Sequence, residues 1–347
     1  MGTDTQTLDT AAVAAYLEKT MPGFEGPIEA QKFDVGQSNP TFMLKTPKKN
    51  YVLRRKPPGV LLKSAHAVDR EFRVQKALFE TDVPVAKMHV LCEDDDIIGS
   101  AFYVMDHVDG RNIGQPKMDG ASPEERTAVI DDMNRVLAAM HEVDIEAVGL
   151  ADYGPPGNYY ERQIGRWTKQ YRASETDTVA PMDELLAELP KRMPDVSERR
   201  LVHGDYRIDN MMFEKNGPKC LAVLDWELST IGHPLADLGS VIMQWQMPAN
   251  GESRGLEGVD RKALGLPTDE EFVAKYCERR GLDGIDDFGF YLAFCFFRMA
   301  GIIQGVYKRA LDGNASNPER AMRVGKSVPI FAQKGLDALN AQGTWGS

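Results

Sequence analysis

Residues 201–227 read LVHGDYRIDNMMFEKNGPKCLAVLDWE. Two apolar runs in this stretch bracket two polar clusters. The first cluster is His203-Gly204-Asp205, with Asn210 five residues after the aspartate; the second is Asp225, which closes the apolar run Cys220-Leu221-Ala222-Val223-Leu224. Met211-Met212-Phe213, the turn signal Asn216-Gly217-Pro218 and the second apolar run predict a strand, a tight reversal and a strand. A hairpin of that size brings Asn210 and Asp225 together. Converging Asn and Asp side chains are hard oxygen donors suited to Mg2+, which usually keeps several waters and shares its other positions with phosphate oxygens. Asp205 then stands beside the metal as a base. Taken singly, His-Gly-Asp is a common turn and a strand-ending Asp is a common cap. It is the joint spacing that points to chemistry.

The arrangement resembles the catalytic loop and metal aspartate of the protein-kinase-like fold. There an Asp accepts the substrate hydroxyl proton, an Asn five residues on binds Mg2+, and a later Asp binds Mg2+ again. His-Gly-Asp, with Asp-Trp-Glu where protein kinases have Asp-Phe-Gly, is similar to the aminoglycoside phosphotransferase and choline kinase branch. HGDYRIDN followed by LDWELSTIGHPLADLG most resembles the kinase-like domains found alone in bacteria or fused to acyl-CoA dehydrogenases. The likeness runs from about residue 30 to about residue 310. It implies an α+β, bilobal fold, with a small antiparallel-sheet lobe over 1–105, a hinge over 106–110 and a mainly helical lobe over 111–347.

Composition fits that expectation. The 347 residues exceed one average domain, and 42% apolar with 27% charged content is ordinary for a globular protein. The net charge of −11 argues against a nucleic-acid partner, which needs a basic surface. No uninterrupted apolar stretch reaches the roughly 18 residues of a membrane span, so neither a membrane nor a targeting role is expected and the reading is cytoplasmic. Cys92, Cys220, Cys277 and Cys295 are widely spaced and read as buried free thiols. Composition leaves the oligomeric state open.

Upstream of the central stretch the hydrophobic period is two. Strands are expected over 28–35, 41–46 and 51–54, then a helix over 65–80 and strands over 87–92 and 97–105. The turn Gly36-Gln37-Ser38-Asn39-Pro40 falls where the family has its phosphate-covering loop, and Gly36, Ser38 and Asn39 are candidate phosphate contacts. Its single glycine also suits an ordinary hairpin. Arg54 falls where kinases carry a phosphate-binding Lys; a guanidinium can take over with bidentate geometry. Glu71 falls where the family's helix orients that cation. Met105, Asp106 and Val108 correspond to the hinge, with the Asp106 carbonyl and Val108 amide placed to read an adenine edge.

Downstream, Ser122-Pro123-Glu124-Glu125 opens a helix with an apolar stripe. The resemblance gives Asp237 a bracing role beneath the catalytic loop. Helices are expected from near Thr268 and Asp286, with one last helix from about Asn317 to Leu339. The function implied is transfer of the γ-phosphoryl of ATP, or of GTP, to a hydroxyl of a small molecule. Arg54 and the Gly36 loop hold phosphates, Asn210 and Asp225 hold Mg2+, and Asp205 is the base. Arg207, two residues on, is either a cation near the transferred group or a structural ion pair. Two alternatives stay open: an aminoglycoside O-phosphotransferase, and a nucleotide-binding pseudokinase module, motivated by Arg54 and the glycine-poor loop.

Overall fold

Asp9 accepts the backbone N–H of Ala12 at 2.9 Å and caps α1 (Thr10–Thr20), which buries Val13 and Leu17. The change to period two then gives β1 (Glu29–Lys32), β2 (Thr41–Lys45) and β3 (Asn50–Arg55). In β2, Phe42 and Leu44 are buried while the residues between them stay partly exposed. After α2 (Val68–Leu78), β4 (Met88–Cys92) and β5 (Phe102–Asp106) complete a five-stranded antiparallel sheet in the order β1-β2-β3-β5-β4. β5 begins later than expected. The Gly99 N–H bonds the Asp95 carbonyl at 2.7 Å and Gly99 sits at φ +82°, so the chain turns there before it extends.

The computed structural model describes residues 7–33, 39–57, 67–194, 197–249, 254–315, 317–341 and 343–347. Gly36 and Ser38, the end of the strand expected over 28–35 and the start of the helix expected over 65–80 lie outside them. The chain divides into two compact units.

The first unit comprises Met1–Ile113, Glu146–Leu150 and Asp209–Ser229. Alternation along β5 directs Phe102 and Val104 into a cluster with Val13, Leu17, Phe42 and Leu53, while Tyr103 joins Val68, Ala86 and Met88 in a second one. Residues 209–229 belong here because β6 (Arg111–Asn112) pairs with the Met211–Phe213 strand, which pairs with Cys220–Val223. The Val223 N–H also bonds the Pro84 carbonyl at 2.8 Å. Division along the chain at residues 105 and 110 and division by packing therefore treat the hairpin differently.

The second unit comprises Gly114–Ile145, Ala151–Ile208 and Thr230–Ser347 and is mainly helical. Its helices are α3 (Pro123–Glu142), α4 (Tyr159–Ser174), α5 (Ala180–Glu188), α6 (Leu235–Trp245), α7 (Arg261–Leu264), α8 (Asp269–Arg280), α9 (Phe288–Leu311), α10 (Pro318–Gly325) and α11 (Val328–Asn340). Ser122 caps α3 by accepting the Glu125 N–H at 3.2 Å, and the expected stripe from Val129 to Met140 is buried. α9 packs on α4, α6, α10 and α11. By length and composition α9 could cross a membrane, yet 67% of its most apolar window is buried inside the protein. All four cysteines are buried, and none forms a disulfide among the described residues.

The single last helix expected near 317–339 is two helices. Pro329, which lacks an N–H, starts α11 in its first turn, and Gly325 ends α10 where an added Cβ would lie 2.3 Å from the Tyr307 ring. The start of α8 is a full capping box: the Thr268 hydroxyl accepts from Glu271 N, and the Glu271 carboxylate accepts from Thr268 N. Thr268→Ala should lower unfolding stability by about 1 kcal/mol. Urea unfolding checks this, and an unchanged midpoint would show the cap to be redundant.

Candidate active site

In the first unit the site is built around Arg54 on β3. Its Nε lies 3.0 Å from Glu71 Oε2, and one terminal nitrogen lies 3.3 Å from Asp225 Oδ1 and 3.8 Å from Glu227 Oε2. The other terminal nitrogen reaches Thr41 Oγ1 at 3.5 Å. Glu71 is 1% exposed on α2, and its carboxylate also accepts from Asn39 Nδ2 and from the Tyr103 hydroxyl, both at 3.0 Å. A buried carboxylate needs such donors, because desolvation without them is costly. Burial pushes the Glu71 carboxyl up against the opposing pull of Arg54 and Tyr103. Burial also disfavours the Arg54 cation, but the carboxylates outweigh it and hold Arg54 protonated. Asn39, expected as a phosphate donor, is fully buried and spends its side-chain amide on Glu71.

Asn210 and Asp225 are brought together as the hairpin reading expects. Met211 pairs with Val223, and the Leu224 N–H donates to the Asn210 carbonyl at 2.8 Å. Asp225 then breaks the strand in the left-handed region, at φ 64° and ψ 61°, and caps the short turn Trp226–Leu228. Left-handed backbone is uncommon outside glycine, and Asp and Asn are the residues that tolerate it. Three carboxylates, Glu71, Asp225 and Glu227, face one guanidinium. The excess negative charge leaves room for a cation.

In the second unit the loop after the Arg200–Val202 strand carries His203, Gly204 and Asp205. Asp237 on α6, fully buried, accepts the His203 N–H at 2.6 Å and the Gly204 N–H at 2.8 Å. Gly204 sits at φ +82°, a conformation any other side chain would strain. His141 Nε2 approaches the same carboxylate at 3.5 Å, and the Tyr206 hydroxyl donates to the Met133 carbonyl at 2.7 Å. Asp205 is left partly exposed, with Oδ2 at 3.2 Å from Arg207 Nε. Arg207 is therefore in direct contact with Asp205. From α9, Arg298 donates to the Gly204 carbonyl at 2.9 Å.

A family model described as "Phosphotransferase enzyme family" matches residues 29–276. The chain belongs to this phosphotransferase family. A solved structure from Ralstonia eutropha, provisionally assigned as an aminoglycoside phosphotransferase, is 48% identical with a TM-score of 0.90, over 97% of this chain and 100% of that one. Acyl-CoA dehydrogenase family member 10 of Mus musculus is 43% identical over 94% of the chain, and family member 11 of Homo sapiens is 41% identical over 94%. The chain spans 31% and 43% of those two relatives' lengths. An aminoglycoside phosphotransferase solved with AMP-PNP and hygromycin B shares the kinase-like fold at a TM-score of 0.61, with 19% identity over 93% of this chain and 99% of that one.

The remaining expected positions of this phosphotransferase fall around the end of β5. Met105 pairs with Val52 and Met88, and the Asp106 N–H bonds the Lys87 carbonyl at 2.9 Å. Burial of the Asp106 carboxyl is outweighed by Lys49 and His89, which hold it below the usual range. Val108 packs on the Tyr103 cluster. Sequence reasoning did not single out Tyr103, Thr41, Glu227, His141 or Arg298. For Arg298 a signal existed: it is the one charge in the apolar run FYLAFCFFRMAG.

His233, which precedes α6, is structural. It is 4% exposed, stacks on Tyr291 at 5.3 Å and 5°, and lies 3.4 Å from the Tyr160 hydroxyl. Burial pulls its imidazole down to about 4, against the pull of Glu198. The unfolded imidazole takes a proton near pH 6.5 while the folded one resists until about 4, so stability is intact above 6.5 and drains as pH falls toward 4. The loss should reach about 3 kcal/mol. Chemical unfolding between pH 7 and 4 should show a shallower decline in His233→Gln than in the native chain; parallel declines would refute the assignment.

Proposed function

We propose that this phosphotransferase moves the γ-phosphoryl group of ATP to a hydroxyl of a small molecule, with Mg2+. GTP is the alternative nucleotide. The observation that carries the reading is the strand register that sets Asn210 beside Asp225, with Asp225 also in reach of the Arg54–Glu71 pair. The residues suit the metal. One amide and one carboxylate oxygen leave positions open for water and phosphate oxygens, as Mg2+ prefers.

When bound, the ion supplies neutralisation of the charge on the phosphate oxygens. Asn210 and Asp225 would hold it. Arg54, fixed by Glu71, holds the phosphates through a guanidinium that stays charged. Asp205 accepts the hydroxyl proton, and Asp237 fixes the loop that presents it. Catalysis in such a site is chiefly positioning and charge stabilisation.

The acceptor we favour is a hydroxyl on an acyl chain, because relatives at 43% and 41% identity are named as acyl-CoA dehydrogenase family members. Incubation with ATP and Mg2+ against hydroxylated fatty acids, their thioesters, choline and hygromycin B tests this. The expected result is a phosphorylated acyl product. Phosphorylation of hygromycin B alone supports an aminoglycoside phosphotransferase. Mg2+-dependent nucleotide binding with no product from any hydroxyl compound supports a nucleotide-binding module and sinks the catalytic reading.

A further inference from the structure

We propose that Arg298 makes the acceptor site select hydroxyl compounds that also carry an anionic group, a carboxylate or a phosphate. This rests on the phosphotransferase reading and names the substrate class of the same loop. Arg298 donates one terminal nitrogen to the Gly204 carbonyl at 2.9 Å, one residue before the base Asp205. Among the described residues no carboxylate pairs with it. The acidic groups around it are already engaged. Asp205 contacts Arg207 at 3.2 Å, and Asp237 is held by the His203 and Gly204 N–H groups and by His141. In a chain with net charge −11, a half-buried guanidinium without a counter-charge is a local reversal of sign.

The neighbouring groups are donors as well. The Arg298 guanidinium lies 6.0 Å from the centre of the Trp167 ring, and the Arg166 guanidinium lies 5.7 Å from that ring. Trp167 Nε1 is a buried N–H with no acceptor among the described residues. Arg298 and the Trp167 N–H are donors only, and Arg166 adds a second positive charge against the same ring. An anion matches such a set, and a polycationic acceptor is repelled by it. The planar fork of Arg suits a carboxylate or a phosphate in two-point contact.

Arg298 also tethers the loop, so the test must separate charge recognition from loop support. Calorimetry would measure binding of 3-hydroxyoctanoate, its uncharged amide, and its coenzyme A and pantetheine thioesters to the native chain and to Arg298→Gln and Arg298→Lys. The native chain should bind the anion-bearing member of a pair about 10–100-fold more tightly than its neutral counterpart. Arg298→Gln should abolish that ratio and Arg298→Lys should restore part of it. Acid over amide identifies a carboxylate; coenzyme A over pantetheine thioester identifies a phosphate. A ratio near one in the native chain overturns the proposal. So does a ratio that survives in Arg298→Gln, or an equal weakening of charged and neutral ligands, which marks loop support only. Binding is read without turnover. An intact ratio with no phosphoryl transfer would therefore sink the kinase reading and leave anion selection standing.

Discussion

Asp205→Asn should lower the rate of phosphoryl transfer by about 10²–10⁴-fold, the range of a positioned general base, and leave Mg2+-dependent nucleotide binding in place. The expectation follows from where the side chain sits. Its carboxylate is partly exposed and contacts Arg207, while the backbone that carries it is fixed from below by Asp237. Asn at this position keeps the shape and removes the proposed proton acceptor. Asp225→Asn is the complementary variant. Asn tolerates the left-handed backbone found at φ 64°, so the fold should persist while the carboxylate proposed to hold Mg2+ is lost. In that variant the stabilisation conferred by nucleotide with Mg2+ should vanish; for the native chain it should be about 2.7 kcal/mol at a hundredfold excess over Kd. Single-turnover kinetics and thermal unfolding separate the two effects. An Asp205→Asn protein with native kcat, or an Asp225→Asn protein with native Mg2+ dependence, would remove the corresponding residue from the mechanism.

The parts of the site legible in the sequence are those whose geometry is local. Asn210 and Asp225 belong to one hairpin, so strand length and the Asn216-Gly217-Pro218 turn were enough to bring them together. The Arg54–Glu71 contact was accessible only through family resemblance, since no local rule couples a strand residue to a helix residue 17 positions on. Tyr103 and Asn39 both serve Glu71 across a separation of 32 residues, and Arg298 reaches Gly204 across 94. Periodicity carries no information about such partners. What it does carry is burial: a strand residue such as Tyr103 is recognisable as core, but the use of its hydroxyl depends on which charge lies beside it. The assignment of 209–229 to the first unit was hidden for a related reason. The hairpin's second strand bonds to Pro84, more than a hundred residues upstream, and linear segmentation cannot express that return.

Removing the Asp237 carboxylate should be the most damaging single change to stability near the loop. It is 1% exposed and accepts two backbone N–H groups, at 2.6 and 2.8 Å, with His141 as a third neighbour. Burial alone would raise its carboxyl, but His141, His203 and the backbone donors outweigh that and hold it below its ordinary value. A carboxyl depressed in the folded state contributes stability that is present above the unfolded value of about 3.9 and is lost as pH falls through the folded one. Asp237→Ala leaves two buried donors without an acceptor, at about 1–3 kcal/mol each, so a total loss of about 2–6 kcal/mol is expected. Asp237→Asn should lose less, because its amide oxygen can still serve one donor. Catalysis supplies the second readout. Gly204 at φ +82° is held in place by those two bonds, so the folded fraction of Asp237→Asn should also transfer phosphoryl groups more slowly, by at least about tenfold if even 1.4 kcal/mol of positioning is lost. A variant that unfolds more easily yet turns over at the native rate would mean that Arg298 on the Gly204 carbonyl and Tyr206 on the Met133 carbonyl hold the loop without it.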